Sequence, residues 1–204
     1  KVTVSAPLSM SDDTIERFVR TKAGWVKRQV EKFKTQPRQS ERKYVSGETL
    51  YVWGKQYFLQ VEYGNGKNTL LLSGDKAILT VCKESSAEQR EKFIREWYRS
   101  ILKKEIERLL PKWEERTGLK CSGWQTKYMT TRWGTCNIQT KKIWLNLQLA
   151  KKTQDCLEYV ILHELTHLVE KHHNEVFTSM MDKYMPYWRD TKRALNGQIL
   201  DFMG

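Results

Sequence analysis

The chain has 204 residues, of which 39% are hydrophobic and 11% aromatic. It is long enough to bury a real core and too rich in aromatics for a disordered segment. The net charge is +12; no apolar run approaches the roughly 20 residues needed to cross a bilayer, so a membrane-spanning role is excluded.

The charge is uneven. Residues 17–43 carry ten Lys and Arg against two Glu. This stretch is a candidate contact for nucleotides, nucleic acid or an acidic surface, and the plainer alternative is the solvated face of a helix. The four cysteines, Cys82, Cys121, Cys136 and Cys156, contain no C-x-x-C pair. That argues against a cysteine-based zinc knuckle and against a disulfide framework. Four free thiols fit a reducing, cytoplasmic setting. The sequence begins at Lys1 rather than Met, so further residues are expected upstream.

In chain order, a short strand over residues 1–4 is followed by a predicted helix from Ser9 to Phe33. Ser11 is its candidate cap, and Asp12 and Asp13 suit the positive end of the dipole. Ile15, Phe18, Val19, Trp25, Val26, Val30 and Phe33 form its apolar stripe, with Trp25 and Phe33 read as core residues. A polar linker around Pro37 leads to residues 49–82. There, β-branched and aromatic runs broken at Gly54, "GNGK" and "SGDK" predict a meander of three or four strands. A long helix follows, with Ser85 and Glu88 as a capping box, Gly118 as its stop and Pro111 expected to kink or split it. Residues 122–149 read as two strands around the loop "TRWGTCNIQTKK", the second strand being "IWLNLQLA". A helix capped by Thr153 then runs over 153–170, and two more are expected near 174–184 and 187–196. The fold class is α+β: an N-terminal helix and small antiparallel sheet over residues 1–85, then a helical core with a short sheet over residues 86–204.

All four histidines fall within the stretch "HELTHLVEKHH", residues 163–173. His163 and His167 lie four apart on a predicted helix, on one face, where two imidazoles can reach a single cation. Glu164 projects to one side and is the candidate base in this H-E-x-x-H arrangement. A catalytic zinc site keeps three protein ligands and one open position. His173, six residues past His167 and beyond the expected helix end, is favoured by spacing as the third ligand. The same spacing occurs in metzincins, although Glu170 stands where they carry Gly. His172, Asp182 and Asp190 are the competitors, while Glu170 is too close on the same helix.

Together with "TRWGTCN" and "IWLNLQL", the stretch "HELTHLVEKHHNEVF" resembles the YgjP-like metal-dependent hydrolases, which belong among the SprT-like zincin metallopeptidases. The family pattern falls on His163, Glu164, Leu165, His167, Leu168, His173 and Phe177. Its "RWGSC" appears here as "RWGTC", Arg132 to Cys136, and Thr178 stands where the family usually has Trp. The segment "PYWRDTKRALN" is also similar, and the resemblance covers nearly the whole chain. It implies a zincin-like core and the ligand set His163, His167 and His173, one Zn²⁺ per chain, with peptide bonds as the substrate.

The expected chemistry is hydrolysis by activated water, with Glu164 as general base. Arg132 is a candidate donor to the oxygen that gains charge, or else a structural ion-pair partner. Trp133 is read as packing, and Asn146 as orienting either backbone or ligand. Cys136 is disfavoured as a nucleophile because no separate histidine is left to serve as its base. Two rival functions remain: a metal-dependent hydrolase of nucleotides or other phosphate compounds, and a nucleic-acid-associated module with a tethered protease, using the basic stretch 17–43.

Overall fold

The computed structural model describes residues 2–35 and 42–197. The linker around Pro37 lies mostly outside them. The chain forms two compact units, Lys1–Ser40 and Glu41–Gly204. The boundary expected near residue 85 falls inside the second.

The first unit contains α1, Asp12–Thr35. Asp12 and Asp13 occupy its first turn, where the N-terminal partial charge favours carboxylates. The Ser11 hydroxyl lies 2.8 Å from that of Thr14, and its carbonyl accepts from Ile15 N–H at 3.1 Å. Ion pairs Arg17–Asp13 and Arg20–Glu16 brace the exposed surface one turn apart. The stripe differs from expectation. Phe18 is 60% and Trp25 56% exposed, so Trp25 is not a core residue. Among the described residues α1 is the only regular element of its unit, so the stripe finds no second element there to pack against.

The second unit opens with β1 (Thr49–Val52), β2 (Lys55–Tyr63), β3 (Thr69–Ser73) and β4 (Lys76–Val81). The expected meander is not what forms. The order is β1-β2-β4-β3, two hairpins joined by parallel pairing of β2 with β4. Burial explains the choice. β4 buries Ala77, Leu79 and Val81, whereas β3 buries only Leu70, so the more apolar strand takes the inner position. Trp53 and Gly54, both at positive φ (51° and 81°), make the tight β1–β2 turn.

Next comes α2, Ala87–Thr117. Its capping box is Ser86 with Gln89, one residue beyond the predicted pair. Ser85 instead accepts from Arg90 Nε at 2.9 Å. The helix runs unbroken through Pro111. Pro111 and Glu107, whose carbonyl loses its helical donor, are both exposed, so water can satisfy that carbonyl. Leu109, Leu110 and Trp113 hold the last turns in the core. Gly118 ends the helix in the left-handed conformation, its N–H bonding the Glu114 carbonyl at 2.9 Å.

A second sheet holds three strands rather than two: β5 (Gly123–Lys127), β6 (Gly134–Asn137) and β7 (Lys142–Asn146), in the order β5-β7-β6. The stretch read as a loop contains β6, antiparallel to β7. "IWLNLQLA" is a strand only to Asn146. There the Asn146 side chain accepts from Gln148 N–H at 3.1 Å and starts a 3₁₀ helix, Leu147–Lys151.

Three helices complete the unit: α3 (Gln154–Thr166), α4 (Glu175–Tyr184) and α5 (Trp188–Gly197). Thr153 sits at the N-cap of α3, but its hydroxyl meets Cys156 Sγ at 3.3 Å instead of capping. The helix stops at Thr166, short of the predicted Glu170. Nearly every side chain of α3 is buried or half-buried, and one apolar cluster joins it to the first sheet, α2 and β7. Trp113 Nε1 donates to Glu158 at 3.1 Å, tying α2 to α3.

Candidate metal centre

α3 is apolar because it threads the core, and its C-terminal turn delivers two polar side chains to one place. His163 lies in the last turn, and His167 is the C-cap, with its N–H still bonded to the His163 carbonyl at 3.2 Å. The chain then turns. Leu168 N–H bonds Leu165, and Glu170 N–H bonds Thr166 at 3.0 Å. The Glu170 carboxylate accepts from His172 N–H at 2.8 Å. Asn174 caps α4 by accepting from Phe177 N–H at 3.1 Å. Between these two anchors His173 swings back towards α3.

The result is a convergence of three imidazoles. His163 Nε2 lies 3.1 Å from Nε2 of both His167 and His173. Two bonds of about 2.05 Å at a tetrahedral angle set nitrogens about 3.3 Å apart, so the cluster is close to a preformed ligand set. The three could hold a metal ion. Their chemistry fits one, because three nitrogen acceptors facing each other at these distances want a shared cation. Phe177 packs edge-on against His163 and His173, with centroids 4.9 and 4.7 Å away.

Neighbours set the tautomers. His167 Nδ1 lies 2.9 Å from the Glu170 carbonyl, so its N–H points there and Nε2 keeps its lone pair. Tyr159 Oη sits 3.4 Å from His163 Nδ1. Burial, then the neighbouring His167, His173 and Lys192, pushes the His163 pKa down to about 3, and burial likewise lowers that of His173. Both rings are therefore neutral, the form that binds metals.

The other ligand candidates are engaged elsewhere. Asp182 accepts from Trp188 Nε1 at 2.8 Å and pairs with Arg189. Asp190 pairs with Arg193 at 3.3 Å. His172 is exposed and lies outside the cluster of three.

Glu164 is only 4% exposed, and burial pushes its carboxyl up to about 8 against the opposing pull of Arg132. It lines the same cleft as the three histidines, with β6 along one wall. Gly134 of β6 leaves the room it needs: a Cβ there would stand 2.5 Å from Glu164 Oε1. Asn146 is fully buried and orients backbone. Its amide donates to the carbonyls of Met129 at 2.8 Å and Arg132 at 2.7 Å, shaping the turn that presents Arg132. Arg132 is exposed at the cleft rather than buried in an ion pair. Trp133 packs partly buried against the core. Cys136 lines the cleft with its thiol pushed up to about 11, chiefly by burial, which keeps it protonated and a poor nucleophile.

Among the contributors to this cleft that the sequence did not single out are Gly134, Tyr159, Lys171 and Lys192. Tyr159 carried a usable signal, since it precedes His163 by four residues on the same helix face. Gly134 had a weaker one, as the glycine of "RWGTC". The two lysines had only their places in "HELTHLVEKHH" and "PYWRDTKRALN".

Comparison with known proteins decides the family. The profile of the YgjP-like family, metallopeptidase domain, matches residues 1–198. The chain belongs to the YgjP-like family. Membership makes this YgjP-like chain a metallopeptidase-like hydrolase and implies a metal ion and peptide or protein substrates. No curated protein matches its sequence significantly. Two solved structures are similar in part. One is the metallopeptidase zymogen abylysin of Pyrococcus abyssi, with 16% identity and a TM-score of 0.42, covering 47% of this chain and 99% of that one. The other is the metallopeptidase zymogen jannalysin of Methanocaldococcus jannaschii, with 20% identity and a TM-score of 0.41, covering 45% and 94%.

Proposed function

We propose that the chain is a zinc-dependent peptidase in which His163, His167 and His173 hold one Zn²⁺ and Glu164 is the general base. The observation that carries this reading is the meeting of three imidazoles with one buried glutamate in a single cleft. Zinc, when bound, supplies Lewis acidity to a carbonyl and lowers the pKa of water towards about 7. Glu164 takes the proton of the attacking water as the oxygen bonds to the peptide carbon. It then gives that proton to the amine nitrogen as the C–N bond breaks. The Arg132 guanidinium faces the oxygen that gains charge and donates to it. β6 is an edge strand beside the cleft, so an extended peptide can add to it through main-chain hydrogen bonds.

A second reading, hydrolysis of nucleotides or other phosphate compounds, draws support from the cationic residues of the cleft. The ligand set argues against it, because phosphate chemistry usually employs Mg²⁺ held by carboxylates. The nucleic-acid reading rests on α1, whose exposed Lys22, Lys27 and Arg28 flank the exposed Trp25. No helix among the described residues is long and apolar enough to cross a membrane; the cytoplasmic setting is proposed from the four free thiols.

Metal analysis of the purified protein should find about one zinc per chain. Glu164→Gln should retain that zinc and lose peptide hydrolysis by at least about a thousandfold, in line with removal of a general base and its positioning. Turnover that survives the change would overturn the role given to Glu164. Hydrolysis of nucleoside triphosphates with peptides untouched would favour the second reading.

A further inference from the structure

Three cations border the metal cleft, each from a different part of the chain. Arg132 comes from the turn before β6, Lys171 from the turn after α3 and Lys192 from α5. All three are exposed, and among the described residues none of them forms an ion pair. Among the described residues the only carboxylate lining the same cleft is Glu164, buried in its wall. The cavity, about 460 Å³, is also walled by Trp133, Ile138 and Tyr159. Low-polarity walls strengthen the field of charges at the mouth.

We propose that this cleft selects acidic peptides, with Lys171 and Lys192 reading carboxylates that flank the scissile bond. The inference rests on the peptidase reading above and adds a substrate class to it. A peptide is favoured over a polyphosphate because β6, which lines the cleft, is an edge strand, and an edge strand suits an extended chain. Unpaired cations at the mouth steer an anionic segment inwards and penalise a cationic one. Among the described lining residues three cationic side chains face one acidic group, Glu164 of α3, so positive charge is in excess.

The experiment uses the zinc-loaded full chain and three peptides of one sequence, differing only in whether the residues around the cleaved bond are acidic, neutral or basic. At low salt kcat/KM should fall from acidic to neutral to basic, by about tenfold at each step. The acidic preference should shrink as salt rises towards about 0.5 M, where the Debye length is only a few ångströms. The double variant Lys171→Gln, Lys192→Gln should reduce the acidic-to-basic ratio by roughly tenfold. Zinc content and circular dichroism confirm that it is folded. A second variant, Lys192→Glu, should lower the ratio further. Equal cleavage of all three peptides, or a ratio untouched by the lysine variants, overturns the specificity and leaves the peptidase reading standing. Cleavage of none of them, with inorganic phosphate released from a nucleoside triphosphate, overturns both.

Discussion

His163 and His173 reach the same point from opposite kinds of structure. His163 is fixed in a helix that runs through the core, its ring packed between Tyr159 and Phe177. His173 is exposed and sits on a turn held by two local hydrogen-bond anchors, Glu170 to His172 and Asn174 to Phe177. One imidazole is positioned by burial, the other by capping. The difference teaches that the cluster is built on a rigid half to which a lightly held half is added. Exchange of substrate and solvent is expected on the second side.

The largest expected effect is a direct test of that asymmetry. His163→Ala should weaken zinc binding by at least about 100-fold, since a buried ligand site offers no easy route for a replacement. His173→Ala should cost about tenfold less, because water can take an exposed position. Competition against a chelator of known affinity measures both, and equal losses would erase the distinction. A smaller effect probes the rigid wall. Gly134→Ala puts a methyl group against the Glu164 carboxylate. It should cut kcat by roughly 10- to 100-fold with zinc retained, as displacing a reacting group by about 1 Å does. An unchanged kcat would mean that the wall yields and the rigid half is softer than described.

A further effect is one of pH on the metal-free protein. Glu164 has its pKa pushed up to about 8 from an ordinary 4.5. The stability it contributes is whole below pH 4.5 and is lost as pH rises through about 8. Glu164→Gln cannot ionise. Urea titrations should therefore show the variant gaining on the wild type between those limits, by up to a few kcal/mol. His163 works in the other direction, with its pKa lowered to about 3 from 6.5, so its contribution is lost as pH falls through that range. It is present in both proteins and cancels in the difference.

The sequence made the histidine cluster legible because metal ligation needs a fixed spacing, and four residues along a helix is a local quantity. Helices were legible in existence and less so in detail. Ser85–Glu88 and Ser86–Gln89 both satisfy the capping pattern, and only the packing of Arg90 and Ile94 sets which one the chain uses. β6 was hidden because its four residues, Gly134–Asn137, have no alternating pattern. Pairing with β7 makes it a strand, and that is a non-local choice. The inner position of β4 was equally beyond local pattern. Lys171 and Lys192 illustrate the limit best: both lie in segments the sequence marks, but neither spacing nor pattern gives them a role, and only the return of α5 brings Lys192 to the cleft of the histidines.

The tight turn at Trp53 and Gly54 reaches across the second unit. Trp53 N–H bonds the Ala150 carbonyl at 3.0 Å and Gly54 N–H that of Lys151 at 3.2 Å. A Cβ on Gly54 would stand 2.7 Å from Thr153 Cγ2, at the foot of α3. The hairpin tip thus clamps the base of the helix whose far end carries His163 and Glu164. Loosening one glycine turn would be transmitted along a rigid rod to the chemistry at its other end, and a fragment lacking the hairpin would leave that rod without its footing.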